Sequence, residues 1–189
     1  MYRVALIGCC KEKRYIPERR RGGRVLPAEL YQSQLFRKRV AYAERNDIPW
    51  AVLSAEFGLW RSDFEIKPTT IESEGKAYDT TMASLLPAEK AIWPAAVAYK
   101  VLHLLWDHEN ITVDREDEGI TPDELHVEIH AGKDYAHPLA EILESVGVNV
   151  SLPCKGLGIG EQLKHYTDKE RENEAMPEMR EDSDALQLF

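Results

Sequence analysis

The chain has 189 residues, 43% of them hydrophobic, and a formal net charge of -9; this length favours one domain with a full core, and the acidic balance excludes a surface that attracts nucleic acid all round. Three cysteines, two of them adjacent, exclude a disulfide framework, and with no secretory signal ahead of the first strand the chain reads as cytoplasmic and reduced.

The first element is a strand over residues 2–8, whose apolar run Val4-Ala5-Leu6-Ile7-Gly8 does not alternate. Such a run suits burial on both faces of a parallel sheet, where the strand's C-terminal end opens onto the ligand crevice. Cys10 and Lys11 stand at that end. Successive side chains on a strand point to opposite faces, so one cysteine at most is expected in the crevice, with Cys9 in the core. Residues 11–24 then carry a net charge of +5, including Arg19-Arg20-Arg21. A solvated loop is the ordinary reading of such a run, and an arm that holds phosphate is the alternative.

Pro27 opens a helix in which Leu30, Tyr31, Leu35, Phe36 and Val40 recur at helical spacing. Tyr31 and Ser33, in its first turns, are placed near the end of the first strand. Residues 49–55 form a second buried strand, followed by Glu56-Phe57-Gly58. Glu56 reads either as a solvated loop carboxylate or as a crevice residue. Residues 63–82 lose all periodicity and contain Tyr78-Asp79-Thr80-Thr81, a long loop of the kind that is often functional. Asp79 either caps the next helix or reaches the ligand with Tyr78.

Residues 87–108 form a long helix, apolar on most of its circumference, with Pro94 expected to kink it. Its apolar stretch is interrupted by Pro94, Lys100 and His103 and is too short to span a bilayer, so no membrane role is implied. Residues 109–124 hold seven carboxylates and read as a solvated insertion. Residues 125–131 alternate, with Leu125, Val127 and Ile129 on one face and His126, Glu128 and His130 on the other. That polar face predicts an edge strand or one lining water. Its composition resembles a metal site, but a fourth ligand is missing from the pattern, and no metal or other cofactor is predicted.

Gly132-Lys133-Asp134-Tyr135 then leads into a helix running to residue 146, placing Lys133 and Tyr135 at a further strand end. After a last strand over residues 148–152, Gly156, Gly158 and Gly160 alternate before Glu161-Gln162-Leu163 and a short helix. Alternate glycines leave backbone N-H groups free to meet an anion, or simply make a flexible turn. Residues 167–189 carry eight carboxylates against three basic residues, a composition that predicts a disordered tail.

The series Cys10-Lys11, Pro27-Ala28-x-Leu30-Tyr31-x-Ser33, Leu53-Ser54-Ala55-Glu56-Phe57-Gly58, Tyr78-Asp79-Thr80-Thr81, Gly132-Lys133-x-Tyr135 and Gly156-x-Gly158-x-Gly160-Glu161-Gln162 resembles an uncharacterised family of small α/β proteins found in archaea, bacteria and phages. A more distant resemblance is to the core domain of archaeosine synthase, a tRNA-modifying enzyme related in fold to uracil-DNA glycosylases. There a Cys, a Lys and a Tyr-x-x-Ser-like element cluster after the first strand, and the lysine attacks a nitrile-bearing base. Here Cys10, Lys11 or Lys13, Tyr31 and Ser33 keep that order with different spacing.

These readings converge on a three-layer α/β/α domain over residues 1–166, with a parallel-rich sheet of about four or five strands. Its crevice is expected to gather Lys11, Glu56 and Asp79 as catalytic groups. Cys10, Lys13, Tyr31, Ser33, Phe57, Tyr78, Lys133, Tyr135, Gly156, Gly158, Gly160, Glu161 and Gln162 are expected to bind substrate. A nucleotide, or a base within a nucleic acid, suits that mixture, with enzymatic processing of the base or its glycosidic bond as the expected activity. The alternative is a non-catalytic nucleic-acid or nucleotide-binding module that uses the basic residues 11–24.

Overall fold

The apolar run of β1 (Tyr2–Gly8) can be buried from both sides, and it takes the centre of a five-stranded sheet. The computed structural model describes residues 1–13, 25–65, 81–106 and 121–174. β1 lies between β2 (Trp50–Ser54) and β4 (Leu125–His130), parallel to both, so that Ile7 faces Val52 on one side and His130 on the other. β5 (Asn149–Ser151) extends the sheet parallel to β4, and β3 (Gly58–Arg61) closes the other edge antiparallel to β2. The spatial order is β3-β2-β1-β4-β5.

Helices cover both faces. α1 (Pro27–Leu30) and α2 (Gln34–Arg45) connect β1 to β2, α3 (Pro87–Trp106) leads into β4, α4 (Lys133–Ser145) joins β4 to β5, and α5 (Ile159–Glu174) follows β5. One core packs Leu6, Leu53, Val127 and Ile129 of the sheet against Trp93 and Val97 of α3 and Leu139 and Leu143 of α4. The opposite core packs Ala5, Ile7, Val52 and Trp60 against Phe36, Val40 and Ala43 of α2, and α5 lies against α2. The protein is a three-layer α/β fold with a mostly parallel sheet, as the strand and helix pattern predicts.

Several expectations are corrected. The single helix expected from Pro27 is broken: Tyr31 is extended and pairs with Lys13 in an isolated antiparallel bridge. α2 starts afresh, with Ser33 Oγ accepting from Phe36 N at 3.2 Å. A serine that caps the backbone locally competes with helix continuation, which is why the break falls there. The segment after β2 is a turn into β3, with Phe57 N donating to Ser54 Oγ at 2.9 Å.

α3 runs without interruption through Pro94 and buries one face, leaving Ile92 and Tyr99 exposed. β4 is an interior strand, and its polar face is covered. The last helix is long and continues through Glu174, into the stretch expected to be a tail. Tyr78, Asp79, the arginines 19–21, residues 111–113 and the chain beyond Glu174 lie outside the described residues. No described helix is long and apolar enough to cross a membrane.

Gly8, where β1 leaves the sheet, is set by a close approach. A Cβ there would stand 2.9 Å from Ala131 Cβ and 3.1 Å from Ala131 Cα, so the exits of β1 and β4 would have to separate. Gly8→Ala is expected to destabilise the protein by about 1–3 kcal/mol, read as a lowered urea midpoint. Adding Ala131→Gly should recover part of that loss, because it removes the nearer of the two contacts.

Candidate functional site

In an open α/β sheet the ligand crevice forms where neighbouring strands send their connections in opposite directions. Here that place is the β1/β4 pair, since the chain leaves β1 toward β2 and the later strands build outward from β1's other side. A cavity of about 350 Å³ lies beyond the end of β1. Gly8, Cys9, Cys10, Lys11 and Glu12 line it from the strand's exit. The start of α2 contributes Ser33, Gln34, Leu35, Phe36 and Arg39, and α5 contributes Ile159 and Leu163.

Of the residues expected in the site, Cys10, Lys11 and Ser33 line this cavity together. Cys9, expected in the core, lines it as well, and its Sγ lies 3.2 Å from Tyr135 Oη. Both cysteines reach the cavity because β1 ends at Gly8, so the alternation of a strand no longer separates them. Cys10 Sγ donates to Glu12 O at 3.1 Å. Lys13 and Tyr31 meet each other: Lys13 Nζ lies 5.9 Å from the centre of the Tyr31 ring. That ring is wholly buried, packed against Phe36 at 5.1 Å and Trp60 at 6.0 Å between centroids.

Other expected residues are placed elsewhere. Glu56 is exposed in the β2–β3 turn, and Phe57 packs on Trp60 with its carbonyl accepting from Lys100 Nζ at 3.2 Å. Neither lines the cavity. Lys133 lines a second cavity, of about 540 Å³, between the starts of α3 and α4, with Lys90, Asp134 and His137. Those four titratable groups are all exposed to water, whereas the smaller cavity is lined by a buried cation, Arg39, so the smaller cavity is the better candidate.

The glycine stretch is partly occupied by its own chain. Glu161 Oε2 accepts from Gly158 N at 2.7 Å, so an internal carboxylate already holds that N-H group. Gly156 has φ +80°, the left-handed region that glycine tolerates, while a Cβ on Gly160 would meet nothing within 4 Å. Gln162 does connect to the cavity. It is buried, its side-chain N donates to Leu157 O at 2.7 Å, and its Oε1 accepts from Arg39 Nη2 at 2.6 Å.

Arg39 and a buried polar chain beneath it were not anticipated as site residues. Arg39 occupies a core position of α2, in one stripe with Phe36, Val40 and Ala43. A cation on an apolar helical stripe was the available signal. Below it, Glu128 and His130 of β4 are buried. Glu128 accepts from Arg3 Nε at 3.1 Å and from Tyr42 Oη at 3.3 Å, and Arg3 Nη2 reaches the same oxygen as Arg3 Nε. His130 Nε2 stands 3.3 Å from Glu128 Oε2, and its Nδ1 lies 2.6 Å from Tyr166 Oη, which in turn lies 3.1 Å from Cys154 Sγ.

Burial alone would raise the Glu128 pKa, but the hydrogen bonds from His130 and Arg3 and the Arg3 charge hold it down at about 2. Burial pushes His130 the other way from a protonated ring, lowering its pKa against the pull of Glu128, and nearby Arg39 adds to the fall. A neutral His130 beside a carboxylate must carry its proton on Nε2. Nδ1 then accepts from Tyr166 Oη, which leaves Tyr166 free to accept from the Cys154 thiol. Burial, then Cys154, raises the Tyr166 pKa, with Arg39 opposing, so the phenol keeps its proton. No group of three or more metal-ligating side chains occurs among the described residues.

The fold and site define an α/β protein with a small, partly polar crevice at the switch point of a mostly parallel sheet. Residues 4–168 match the model of a family of unknown function, DUF6884, and the chain belongs to that family. No curated protein and no solved structure matches the chain.

The buried histidine carries a pH signature. Because the folded state holds the His130 pKa below 6.5, the unfolded chain takes up more protons as pH falls through about 6.5, and stability falls with it. Glu128 adds a further loss as pH drops from 4.5 toward 2. Urea midpoints measured between pH 7.5 and pH 5 should therefore decline. His130→Gln should lower the midpoint at pH 7.5 and flatten that decline, and an unchanged slope would contradict the assignment of His130 as neutral.

Proposed function

We propose that the chain is a nucleotide- or nucleobase-processing enzyme acting in the cavity beyond β1. The observation that carries this reading is the cavity's composition at the sheet's switch point: Cys10, Lys11 and Ser33 converge there beside apolar Leu35, Phe36, Ile159 and Leu163. Its volume, about 350 Å³, lies at the small end of the range of ligand sites, a size for one base and its sugar phosphate. The apolar side chains offer a face to a base. The thiol, the ammonium and the hydroxyl supply polar and nucleophilic groups at one end.

Glu12, exposed along the same lining, takes the acid-base role expected of Glu56, which stands outside the cavity. Base modification is the specific form that the likeness to archaeosine synthase favours. In that form Lys11 lies where it can reach an electrophilic carbon of the base. Lys13, half-buried on the Tyr31 ring, is the nearest described lysine in sequence.

A thermal-shift screen of nucleobases, nucleosides, nucleotides and short oligonucleotides tests the reading. A nucleotide at a hundredfold excess over its Kd should raise the melting temperature by about 5–10 °C. Chromatography of the same mixtures should show a changed base or a cleaved glycosidic bond, lost in Lys11→Ala. Stabilisation by oligonucleotide alone, unaffected by Lys11→Ala and abolished by replacing Arg19, Arg20 and Arg21 with Ala, would replace the enzyme with a binding module.

A further inference from the structure

We infer that the cavity seats a phosphate group on Arg39, so that its ligand is a phosphate ester of nucleoside size and not a free base or nucleoside. This rests on the nucleotide reading proposed above and names the group that anchors the ligand.

Arg39 is 6% exposed and carries a full positive charge, yet its Nε has no hydrogen-bond partner among the described residues. A buried ion without a counter-charge is costly, by several kcal/mol even after relaxation. The groups around Arg39 do not neutralise it. Gln162 accepts from Nη2 as a neutral amide. Tyr166 keeps its proton, and His130 is neutral.

Glu12 lines the same cavity but is exposed to water and makes no ion pair with Arg39, and two further carboxylates of the same layer are held by other groups. Glu161 is turned onto Gly158 N, and Glu128 is held by Arg3, Tyr42 and His130. Among the described residues no carboxylate stands within ion-pair distance of Arg39. The unmet donor belongs to a side chain that lines the cavity. Nε itself is covered, so a small rotation of the guanidinium, which Gln162 holds through Nη2, brings its spare N-H to an oxyanion entering from that cavity.

Two further positive sources face the same space. Lys11 lines it, and so do Gln34 and Leu35, the first residues of the twelve-residue helix α2. The N-H groups of that first turn have no carbonyl partner within the helix, and Ser33 Oγ answers the later one at Phe36. One guanidinium, one ammonium and one helix N-terminus match the two charges and three free oxygens of a phosphate monoester better than a carboxylate. Leu35, Phe36, Ile159 and Leu163 are left to cover the apolar body of the ligand.

The test compares the four common nucleoside 5′-monophosphates with their parent nucleosides, inorganic phosphate and a short oligonucleotide, on the wild-type protein and on Arg39→Lys and Arg39→Met. On the wild type, at least one monophosphate should bind about 10- to 100-fold more tightly than its nucleoside, and inorganic phosphate should compete. That ratio should shrink in Arg39→Lys and approach one in Arg39→Met. If Arg39 serves the ligand and not the fold, Arg39→Met should keep or raise the melting temperature of the ligand-free protein, since it removes an uncompensated buried charge.

Tighter binding of the oligonucleotide, abolished in Arg39→Met, would support the same phosphate seat with its phosphate supplied by a nucleic acid. Nucleosides that bind the wild type as well as their monophosphates would overturn the phosphate seat and leave the nucleotide reading standing. An Arg39→Met protein that melts well below the wild type would make Arg39 a structural residue and overturn the inference. Absence of binding by every member of the panel would overturn both.

Discussion

A charge taken out of water must find an opposite charge or a complete set of hydrogen bonds, and the layer between the sheet, α2 and α5 is built around that constraint. At Glu128 it is met. The carboxylate is buried on an interior strand, and Arg3, Tyr42 and His130 converge on its two oxygens. At Arg39, on the opposite wall, it is met only in part, by the neutral amide oxygen of Gln162 and the neutral phenol of Tyr166. The two charges belong to one polar seam, running from half-exposed Arg3 through Glu128, His130 and Tyr166 to the cavity at the end of β1.

The seam explains why the two faces of the sheet differ. Toward α3 and α4 the strands present Leu6, Leu53, Val127 and Ile129, and packing there is apolar throughout. Toward α2 and α5 the same strand β4 presents Glu128 and His130, so those helices must bring polar partners: Tyr42 and Arg39 from α2, Gln162 and Tyr166 from α5. A helix face that carries such groups cannot also close tightly over the strand ends. The 350 Å³ cavity opens there, lined by the first turns of both helices. The 540 Å³ cavity on the other face is larger, but its charged groups are all exposed, and the one buried residue lining it is apolar Met82.

Much of this was legible in the residues. The unbroken apolar run of β1 placed its end at the crevice, and the alternation of Leu125, Val127 and Ile129 with His126, Glu128 and His130 separated the faces of β4 correctly. What the alternation does not carry is the neighbour. A polar strand face reads as solvent-facing until Tyr42 and Tyr166, some 86 and 36 residues away, are seen to cover it. Tyr31 likewise has helical spacing with Leu35 but pairs with Lys13, because Ser33 restarts the helix after it. The hairpin at Glu56 was hidden by the shortness of β3, four residues long. Arg39 was readable in principle from its place on the stripe of Phe36, Val40 and Ala43. Its lack of a counter-ion was not, since that depends on where Glu161 and Glu128 turn.

The most direct measurement is an NMR titration that follows the Nε-H correlation of Arg39, assigned by its absence in Arg39→Lys. A buried Nε-H without an acceptor should be protected from exchange, and it should move downfield when a phosphate oxygen becomes its partner. The expected result is a large shift that saturates with an added nucleoside 5′-monophosphate and is absent with the parent nucleoside. A correlation that stays in place while the monophosphate saturates the protein would show that the ligand binds without Arg39, contradicting the phosphate seat.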